Sequence, residues 1–288
     1  MNHSKPKRSL PKGAWDCHAH VFGPYEVFPL AAQRSYTPPE ATLEAYLAMF
    51  DYVGVTHGVL VHPSAYGANH EAMLDALKRS PKRLRGIGVL GPDASDSELE
   101  HMHSHGVRGL RFTEIGGAGK PQRFVGSVGF DAVPLLASRM KALGWHAQVW
   151  AALATVVAAL PALTAHGVPV VIDHLGQVDV SKGVSDPAFQ QLLGLLGEGN
   201  VWVKLTPARN SKQFPDYGDV RPFHDALINK NPHRLIWGSD WPHLNMGELA
   251  PDVGHLLDLL DDWVADDELR ERILVKNPAA LYGVSQPR

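Results

Sequence analysis

The chain has 288 residues, which suffices for two small domains or for one large α/β domain of the barrel type, which needs about 250 residues. Its 44% of hydrophobic and 20% of charged residues suit a globular protein, and a net charge of −3 without a long basic run gives no support to nucleic-acid binding. No apolar run reaches about 18 residues, so we expect no membrane-spanning segment.

Eight short apolar runs along the chain predict β-strands. Most of them are continuous rather than alternating, which is typical of parallel strands that are covered on both faces. In chain order, the predicted strands are residues 13–20, 57–64, 84–91, 107–114, 146–151, 169–176, 201–207 and 234–241.

Helical patterns separate consecutive predicted strands. The stretch 41–54 carries apolar residues at three- and four-residue steps and ends at a glycine. The stretch 186–199 opens with aspartate and proline, a cap followed by the residue favoured at the first helical position. Residues 251–283 indicate two or three further helices at the C-terminal end.

Strands and helices in strict alternation predict a (β/α)₈ TIM barrel with extra C-terminal helices. We expect one barrel domain over residues 13–288, preceded by a flexible N-terminal segment, 1–12. The alternative is a long open doubly wound sheet, which usually has a GxGxxG loop after its first strand, where this chain reads HAHVFGP. The glycine-rich loop 115–128 after strand four is expected to act as a mobile lid.

Polar residues occur where several predicted strands end. In a barrel of this type, the active site lies at the carboxyl ends of the strands. Singly, each such residue has a structural explanation as a cap, a turn residue or a member of an ion pair. Jointly, they predict a functional site. The residues are His18, His20, Ser64, Arg111, His174, Arg209 and Asp240.

Other polar residues are expected to be structural. Cys17 alternates with His18 and His20 along the first strand, so we expect its side chain to face the helices. His224 is expected to be an exposed helix residue. A single cysteine excludes an internal disulfide, and the start MNHSKPKRSLPKG has no apolar segment behind it. Both features favour a cytoplasmic protein.

Three motifs, WDCHAH at strand one, IDHLG at strand six and WGSDWPH at strand eight, resemble those of the amidohydrolase superfamily. Over residues 13–283 the chain is similar to its 2-pyrone-4,6-dicarboxylate lactonase group. The resemblance implies an enzyme that hydrolyses the ring ester of a small carboxylated lactone. It leaves open whether the chain forms a homo-oligomer.

Metal-bearing members of the superfamily add a strand-four lysine or glutamate, or a strand-five histidine, to their histidine and aspartate ligands. Here strand five offers Gln148 and Trp150, and Arg111 on strand four is a poor neighbour for a cation. The lactonase group works without metal, so we expect no cofactor. The alternative is a zinc-dependent hydrolase or decarboxylase of the same superfamily, for which four residues suit zinc by type. They are His18, His20, His174 and Asp240.

The expected mechanism is general-base hydrolysis. Asp240 takes a proton from a water molecule that attacks the ring carbonyl, and later returns it to the leaving oxygen. The three imidazoles of His18, His20 and His174 are expected to donate hydrogen bonds to the carbonyl oxygen as negative charge builds on it. A binding protein without catalysis is disfavoured, because the base and all three histidines are present.

The arginines predict an anionic substrate, because a guanidinium binds a carboxylate through two parallel hydrogen bonds. Arg111 and Arg209 come from different sides of the barrel, and the resemblance adds Tyr36 and Ser64 as substrate contacts. The pyrone lactonases carry a second arginine shortly after the strand-four one. Here those positions give Lys120 and, further on, Arg123, which replaces it if the loop folds inward. A sulfonated muconolactone or a sugar-acid lactone is therefore an alternative substrate.

Overall fold

The computed structural model describes residues 3–116, 122–264 and 266–283, and it contains one sheet of eight parallel strands in sequential order. Each predicted strand is found, although each ends earlier than the apolar pattern suggested. The strands are β1 (Trp15–Ala19), β2 (His57–Val61), β3 (Leu84–Gly88), β4 (Val107–Thr113), β5 (His146–Trp150), β6 (Val170–Ile172), β7 (Val201–Leu205) and β8 (Leu235–Trp237).

Strands β1 and β8 meet and close the sheet into a barrel. The backbone N–H of His20 donates to the carbonyl of Trp241 at 2.8 Å, and that of Asp240 donates to the carbonyl of His18 at the same distance. The predicted (β/α)₈ architecture is therefore confirmed. The closing hydrogen bonds also bring the two histidines of the first motif beside the aspartate of the last one.

The helices follow the strands in alternation, and the extra helices lie at the C-terminal end as predicted. Five of them begin at a residue whose side chain caps the helix, such as Asp186, whose carboxylate accepts a hydrogen bond from the N–H of Ala188. Within the described ranges, none of them combines the length and apolarity needed to cross a bilayer. The helices are α1 (Leu43–Val53), α2 (Glu71–Arg79), α3 (Asp96–Ser104), α4 (Val133–Ala142), α5 (Leu153–Thr164), α6 (Pro187–Gly197), α7 (Arg221–Lys230), α8 (Val253–Trp263), α9 (Asp267–Glu271) and α10 (Asn277–Tyr282).

Apolar side chains form two cores. The larger one lies between the strands and the helices. The smaller one joins strands that are not neighbours, such as Val59 on β2 and Val171 on β6, and so it fills the inside of the barrel. Tyr282 of α10 belongs to this inner cluster and stacks on Trp15 with ring centroids 5.6 Å apart. Because Trp15 begins β1, α10 covers the amino end of the barrel and leaves the carboxyl end for the site.

Cys17 lies in the inner cluster, so the prediction that it faces the helices was wrong. The pairing register of β1 with β2 shifts between Asp16 and Ala19. This bulge breaks the simple alternation of side chains along the strand. As a result, Cys17 contributes to the apolar floor of the barrel, and His18, one residue later, contacts the polar groups above that floor.

His224 is buried, not exposed as predicted. It lies on α7, and its ring packs edge-on against Trp263 of α8, with centroids 5.0 Å apart. The helix pattern placed the residue correctly on α7. It did not reveal that α8 packs over this face.

The N-terminal residues lie along the C-terminal helices. The backbone N–H of Ser4 donates to the carboxylate of Asp252 at 2.9 Å, and that of Lys7 donates to Asp258 at 2.7 Å. These contacts tie the start of the chain to the beginning and middle of α8.

The expected lid falls partly outside the described residues, which exclude 117–121. Beyond that stretch, the backbone N–H of Val125 donates to the hydroxyl of Ser35 at 2.9 Å. This contact joins the loop after β4 to the loop after β1. The closing motion itself stays a prediction.

Candidate active site

A cavity of about 230 Å³ opens at the carboxyl ends of the strands. Seven of the nine predicted site residues line it, which places them around a space that suits a small ring compound. They are His20, Tyr36, Ser64, Arg111, His174, Arg209 and Asp240. Further lining residues include Ser35, His62, Thr113, Phe124, Ser127, Trp150, Gln177 and Asn245.

The two remaining predicted residues lie elsewhere. His18 is fully buried beneath the cavity, with its Nε2 atom 3.7 Å from the carboxylate of Asp240. Arg123 lies to one side, where its guanidinium binds Glu114 and Asp131, both at 2.8 Å. In this arrangement His18 reaches the cavity only indirectly, through Asp240. The positive charge of Arg123 is neutralised by the carboxylates of Glu114 and Asp131.

The backbone turns sharply at two of the site residues. His174 has a φ of 49° and Asp240 a φ of 64°, both in the left-handed region that non-glycine residues rarely adopt. Each such residue costs on the order of 1–3 kcal/mol. Both follow the ends of short strands, and the turns direct their side chains into the cavity.

Asp16, in the first motif, anchors the loop that carries Asp240. Its carboxylate accepts hydrogen bonds from the backbone N–H of Ser239 at 2.8 Å and from the Ser239 hydroxyl at 2.6 Å. The Tyr46 hydroxyl and the backbone N–H of His18 donate to it as well. Burial raises the pKa of Asp16 to about 6, against the effect of these donors. The residue therefore fixes the last motif against the first one.

Asp240 is an ionised carboxylate surrounded by nitrogen atoms. Its Oδ2 atom accepts a hydrogen bond from Nε of Arg209, and its Oδ1 atom faces Nε2 of His18 at 3.7 Å and Nε2 of His20 at 3.8 Å. Burial by itself would raise the pKa of Asp240, but Arg209 and the neighbouring imidazoles outweigh it and hold the pKa below its usual range. The carboxylate is thus ready to accept a proton at neutral pH.

His20 presents an unprotonated nitrogen to the cavity. Its Nδ1 atom lies 2.7 Å from the carbonyl oxygen of Val61, which can only accept, so the ring proton is on Nδ1. Burial lowers the pKa of His20 to about 4, so the ring is neutral at pH 7. Its Nε2 atom is consequently an acceptor, and the expected donation to a carbonyl oxygen does not suit this tautomer.

His174 is oriented by Thr206, whose hydroxyl lies 2.8 Å from Nδ1. The Asn210 side-chain amide also donates to the backbone carbonyl of His174 at 2.7 Å. Burial lowers the pKa of His174 to about 4, so this ring is neutral as well. The Thr206 hydroxyl can donate to Nδ1 or accept from it; when it donates, the His174 proton lies on Nε2, where it can serve an oxygen in the cavity.

Beneath the cavity lies a charged network that the sequence did not lead us to expect. Asp173, fully buried, accepts hydrogen bonds at Oδ2 from Nε of Arg111 at 3.1 Å and from the Gln148 amide at 3.0 Å. Lys204 on β7, also fully buried, donates to Oε1 of Gln148 at 2.7 Å and lies 3.4 Å from Oδ1 of Asp173. Its third contact is Nδ1 of His18, at 3.3 Å.

Two features of the sequence could have revealed this network. Lys204 interrupts the apolar run VWVKL of β7, and Asp173 immediately precedes His174 in the IDHLG motif. A charged residue inside a buried strand is rare unless it is paired. The pairing of these two residues across β6 and β7 depends on how the barrel closes. The sequence pattern does not predict this closure.

The expected ligand set is an incomplete match for a metal ion. By residue type and proximity, His18, His20 and Asp240 form one group that could hold a cation. His20 fits, because its Nε2 lone pair faces the cavity. His18 fits less well, because the ammonium group of Lys204 lies 3.3 Å from its Nδ1 atom, a contact that favours a proton on Nε2. The nearby cations Arg209 and Lys204 add to the mismatch.

Aromatic rings form one wall of the cavity. Trp150 and Phe124 stack with centroids 5.6 Å apart and only 9° between their planes, and Tyr36 meets Phe124 edge-on at 6.3 Å. The guanidinium of Arg111 lies 5.6 Å from the Trp150 ring. A flat anionic ring is therefore matched in shape by the wall and in charge by the arginine.

The family model described as Amidohydrolase matches residues 15–284. A 4-sulfomuconolactone hydrolase from Rhizobium radiobacter is 39% identical over 96% of this chain and 92% of its own length. A 2-pyrone-4,6-dicarboxylate hydrolase from Comamonas testosteroni is 37% identical over 98% and 93%. The crystal structure of a probable 2-pyrone-4,6-dicarboxylic acid hydrolase from Acinetobacter baumannii, with citric acid bound, is 31% identical, with a TM-score of 0.80 over 94% of this chain and 99% of that one.

Proposed function

The chain belongs to the amidohydrolase family, and from this premise we propose that it is an enzyme that opens the ring ester of a small anionic lactone by hydrolysis. The two curated relatives above, which it matches over almost their whole length, are both named as hydrolases of acidic lactones. The substrate we place first is a carboxylated lactone of the 2-pyrone-4,6-dicarboxylate type.

One observation carries the proposal: a carboxylate base and two arginines line the same small cavity. Asp240, Arg111 and Arg209 lie on its wall. A guanidinium prefers a planar carboxylate, to which it donates two parallel hydrogen bonds. With acid groups held at the arginines, the ring of a small lactone lies against the base.

In the proposed first step, a water molecule donates one hydrogen bond to Asp240 and the other to His20. The Oδ1 atom of Asp240 and the Nε2 atom of His20 are both acceptors and lie 3.8 Å apart. A water that bridges them directs its lone pair toward the ring carbonyl. Its oxygen then bonds to the carbonyl carbon as Asp240 accepts the proton, which is general-base catalysis.

In the second step, His174 stabilises the carbonyl oxygen as negative charge builds on it. Its Nε2–H group, set by the Thr206 hydroxyl, is the donor for this oxyanion. A preorganised donor of this kind contributes about 3–4 kcal/mol to transition-state stabilisation. The bond from the carbonyl carbon to the ring oxygen then breaks, and Asp240 returns its proton to that oxygen, which gives an open-chain acid.

Arg209 couples substrate binding to the base. In the free protein it donates to Asp240 through Nε and to the carbonyl of Leu244 through Nη1, at 2.7 Å. A substrate carboxylate that draws the guanidinium away removes the strongest favourable partner of the Asp240 carboxylate. The pKa of Asp240 then rises and the carboxylate becomes a better base. An uncharged lactone gives no such activation.

A second candidate substrate is 4-sulfomuconolactone. The chain is 39% identical to a hydrolase of this compound and 37% identical to a hydrolase of the pyrone, so sequence identity favours both substrates equally. Arg123, the residue expected to bind a second acid group of the pyrone, is bound by Glu114 and Asp131 instead. A cavity that uses Arg111 and Arg209 alone accommodates either a dicarboxylate or a carboxylate with a sulfonate.

We propose that the reaction proceeds without a metal ion. The support is the tautomer of His18 and the three cations, Arg111, Arg209 and Lys204, that already neutralise the two carboxylates nearby. If a zinc-dependent reaction is the correct alternative, the purified protein should contain about one equivalent of metal per chain, and chelation should abolish its activity.

The test is a hydrolysis screen of four compounds: 2-pyrone-4,6-dicarboxylate, 4-sulfomuconolactone, muconolactone and an aldonolactone. The same protein sample should undergo elemental analysis. We expect turnover of at least one of the first two acids, and none of a neutral lactone of the same ring size. Equal turnover of the neutral lactone would show that the arginines do not select acidic substrates. Absence of turnover with all four compounds would exclude small lactones of this class as substrates.

A further inference from the structure

Lys204 is a charged residue beneath the cavity to which the proposed reaction assigns no role. Its side chain is fully buried inside the barrel, and it does not line the cavity. A buried ammonium group needs partners for each of its three N–H bonds. The structure supplies three: Oε1 of Gln148, Nδ1 of His18 and Oδ1 of Asp173, at 2.7, 3.3 and 3.4 Å.

The contact with Lys204 favours one tautomer of His18. An ammonium group has only donors, so the Nδ1 atom that it contacts must be an acceptor, and the ring proton must be on Nε2. The orientation of Gln148 agrees with this assignment, because its amide N–H donates to Asp173 and its carbonyl oxygen faces Lys204.

A competing arrangement lies close by. The Oδ1 atom of Asp173, which lies 3.4 Å from Nζ of Lys204, is also 3.3 Å from Nδ1 of His18. Without Lys204, His18 can donate from Nδ1 to this oxygen and leave a lone pair on Nε2. A histidine that donates from one nitrogen to a carboxylate is the usual arrangement of a metal ligand.

We propose that Lys204 is a positioning residue that holds His18 as its Nε2–H tautomer, which directs a donor at Asp240 and prevents His18 from acting as a metal ligand. The Nε2 atom of His18 has no hydrogen-bond partner among the described residues and lies 3.7 Å from Oδ1 of Asp240. With a proton there, His18 supports the base. With a lone pair there, it repels the carboxylate and offers a third ligand beside His20 and Asp240.

The effect on the reaction rests on the proposed function, but the tautomer does not. It can be measured in the resting wild-type protein at pH 7, without any lactone, by two-bond proton–nitrogen correlations of ¹⁵N-histidine-labelled protein. The His18 signal is assigned by its loss in His18→Asn. We expect the Nε2–H pattern. An Nδ1–H pattern in the wild type would overturn the proposal, whether or not the protein hydrolyses a lactone.

The decisive variant is Lys204→Met, which keeps the length of the side chain and removes its charge. We expect His18 to change to the Nδ1–H tautomer and zinc, added alone as its chloride in a calorimetric titration, to bind about 10- to 100-fold more tightly than to the wild type. We also expect kcat for the lactone to fall about 10- to 100-fold with KM within about threefold, since Lys204 does not reach the cavity.

Cys17→Ala is the matched control. Cys17 is also fully buried inside the barrel and next to His18 in sequence, but it belongs to the apolar inner cluster. This variant should keep the Nε2–H tautomer, the weak zinc binding and nearly the full rate. If Lys204→Met keeps the wild-type tautomer and zinc affinity, Lys204 is only structural and the proposal fails. If Lys204→Met does not fold, the tautomer of His18 measured in the wild-type protein decides whether the proposal holds.

Discussion

The substitution Arg209→Met tests the coupling between substrate binding and the base. In the structure, Arg209 lines the cavity and donates to Asp240. The variant therefore loses both a partner for the substrate carboxylate and the cation that most favours the ionised form of Asp240.

The loss of binding can be estimated from the kind of contact. Removal of one partner of a buried, hydrogen-bonded charge pair costs about 2–5 kcal/mol. Since about 1.4 kcal/mol corresponds to a factor of ten, kcat/KM should fall by roughly 30- to 4,000-fold, mostly through KM.

The second effect is on the pH profile. A base is active only while ionised, so the rate is lost as the pH falls through its pKa. In the wild type that pKa is held below its usual range, against burial, by Arg209 and the imidazoles. Without Arg209 the pKa rises, and the acidic limb of the kcat/KM profile moves to higher pH.

The assay is initial-rate hydrolysis of 2-pyrone-4,6-dicarboxylate from pH 3.5 to pH 9, followed by the loss of pyrone absorbance. Arg123→Met is the matched control, because the same change is made at a guanidinium that Glu114 and Asp131 hold outside the cavity lining. Its KM should stay within about threefold of the wild type. An Arg209→Met enzyme with unchanged KM and an unmoved acidic limb would refute both the substrate contact and the coupling.

Three further outcomes are expected. Asp240→Asn should lower kcat about 10²- to 10⁴-fold and leave the affinity for a substrate-like polycarboxylate within about threefold by calorimetry, whereas a full rate would remove Asp240 as the base. Burial lowers the pKa of His20 and of His174 to about 4 in the folded protein, whereas the value in the unfolded chain is about 6.5. Between these two pH values the unfolded state binds more protons than the folded state. The free energy of unfolding therefore falls as the pH drops from 6.5 to 4, by up to about 3 kcal/mol for each residue. Thermal melts should therefore show a lower Tm at pH 5 than at pH 7.5, and an equal or higher Tm would contradict the burial of neutral imidazoles. Dialysis against a chelator should leave the rate within about twofold of the starting value, and a loss that added zinc restores would favour the metal-dependent alternative.

The barrel and the convergence of motifs could be predicted because both depend on local patterns. Continuous apolar runs identify parallel strands, and parallel strands have their carboxyl ends on one side. This was enough to bring His20, His174 and Asp240 to one cavity, although the last two lie beyond their strands, in tight turns. Tyr36 and Ser64, the loop residues that the resemblance implied as substrate contacts, line the same cavity.

What the sequence could not reveal depends on contacts across the barrel. Alternation assigned Cys17 to the helices, but a bulge in β1 turned it inward. Arg123 was considered as a substrate contact, and its loop instead brings it to Glu114. The pairing of Asp173 with Lys204 needs the register of β6 against β7 and the depth of each side chain. The tautomers of the histidines depend on such contacts, so they could not be predicted from the sequence.

The charges around the cavity favour an anion over both a neutral lactone and a metal ion. Two carboxylates, Asp173 and Asp240, face three cations, Arg111, Arg209 and Lys204, while the imidazoles are neutral. The cluster has one positive charge in excess, and unit charges about 4 Å apart interact by about 4 kcal/mol near a protein surface. A divalent cation adds to the excess. A neutral lactone leaves Arg209 on the base, and only an acidic lactone both balances the charge and draws Arg209 from Asp240. In the proposed mechanism, the arginines that bind the substrate therefore also restrict catalysis to substrates that carry an acid group.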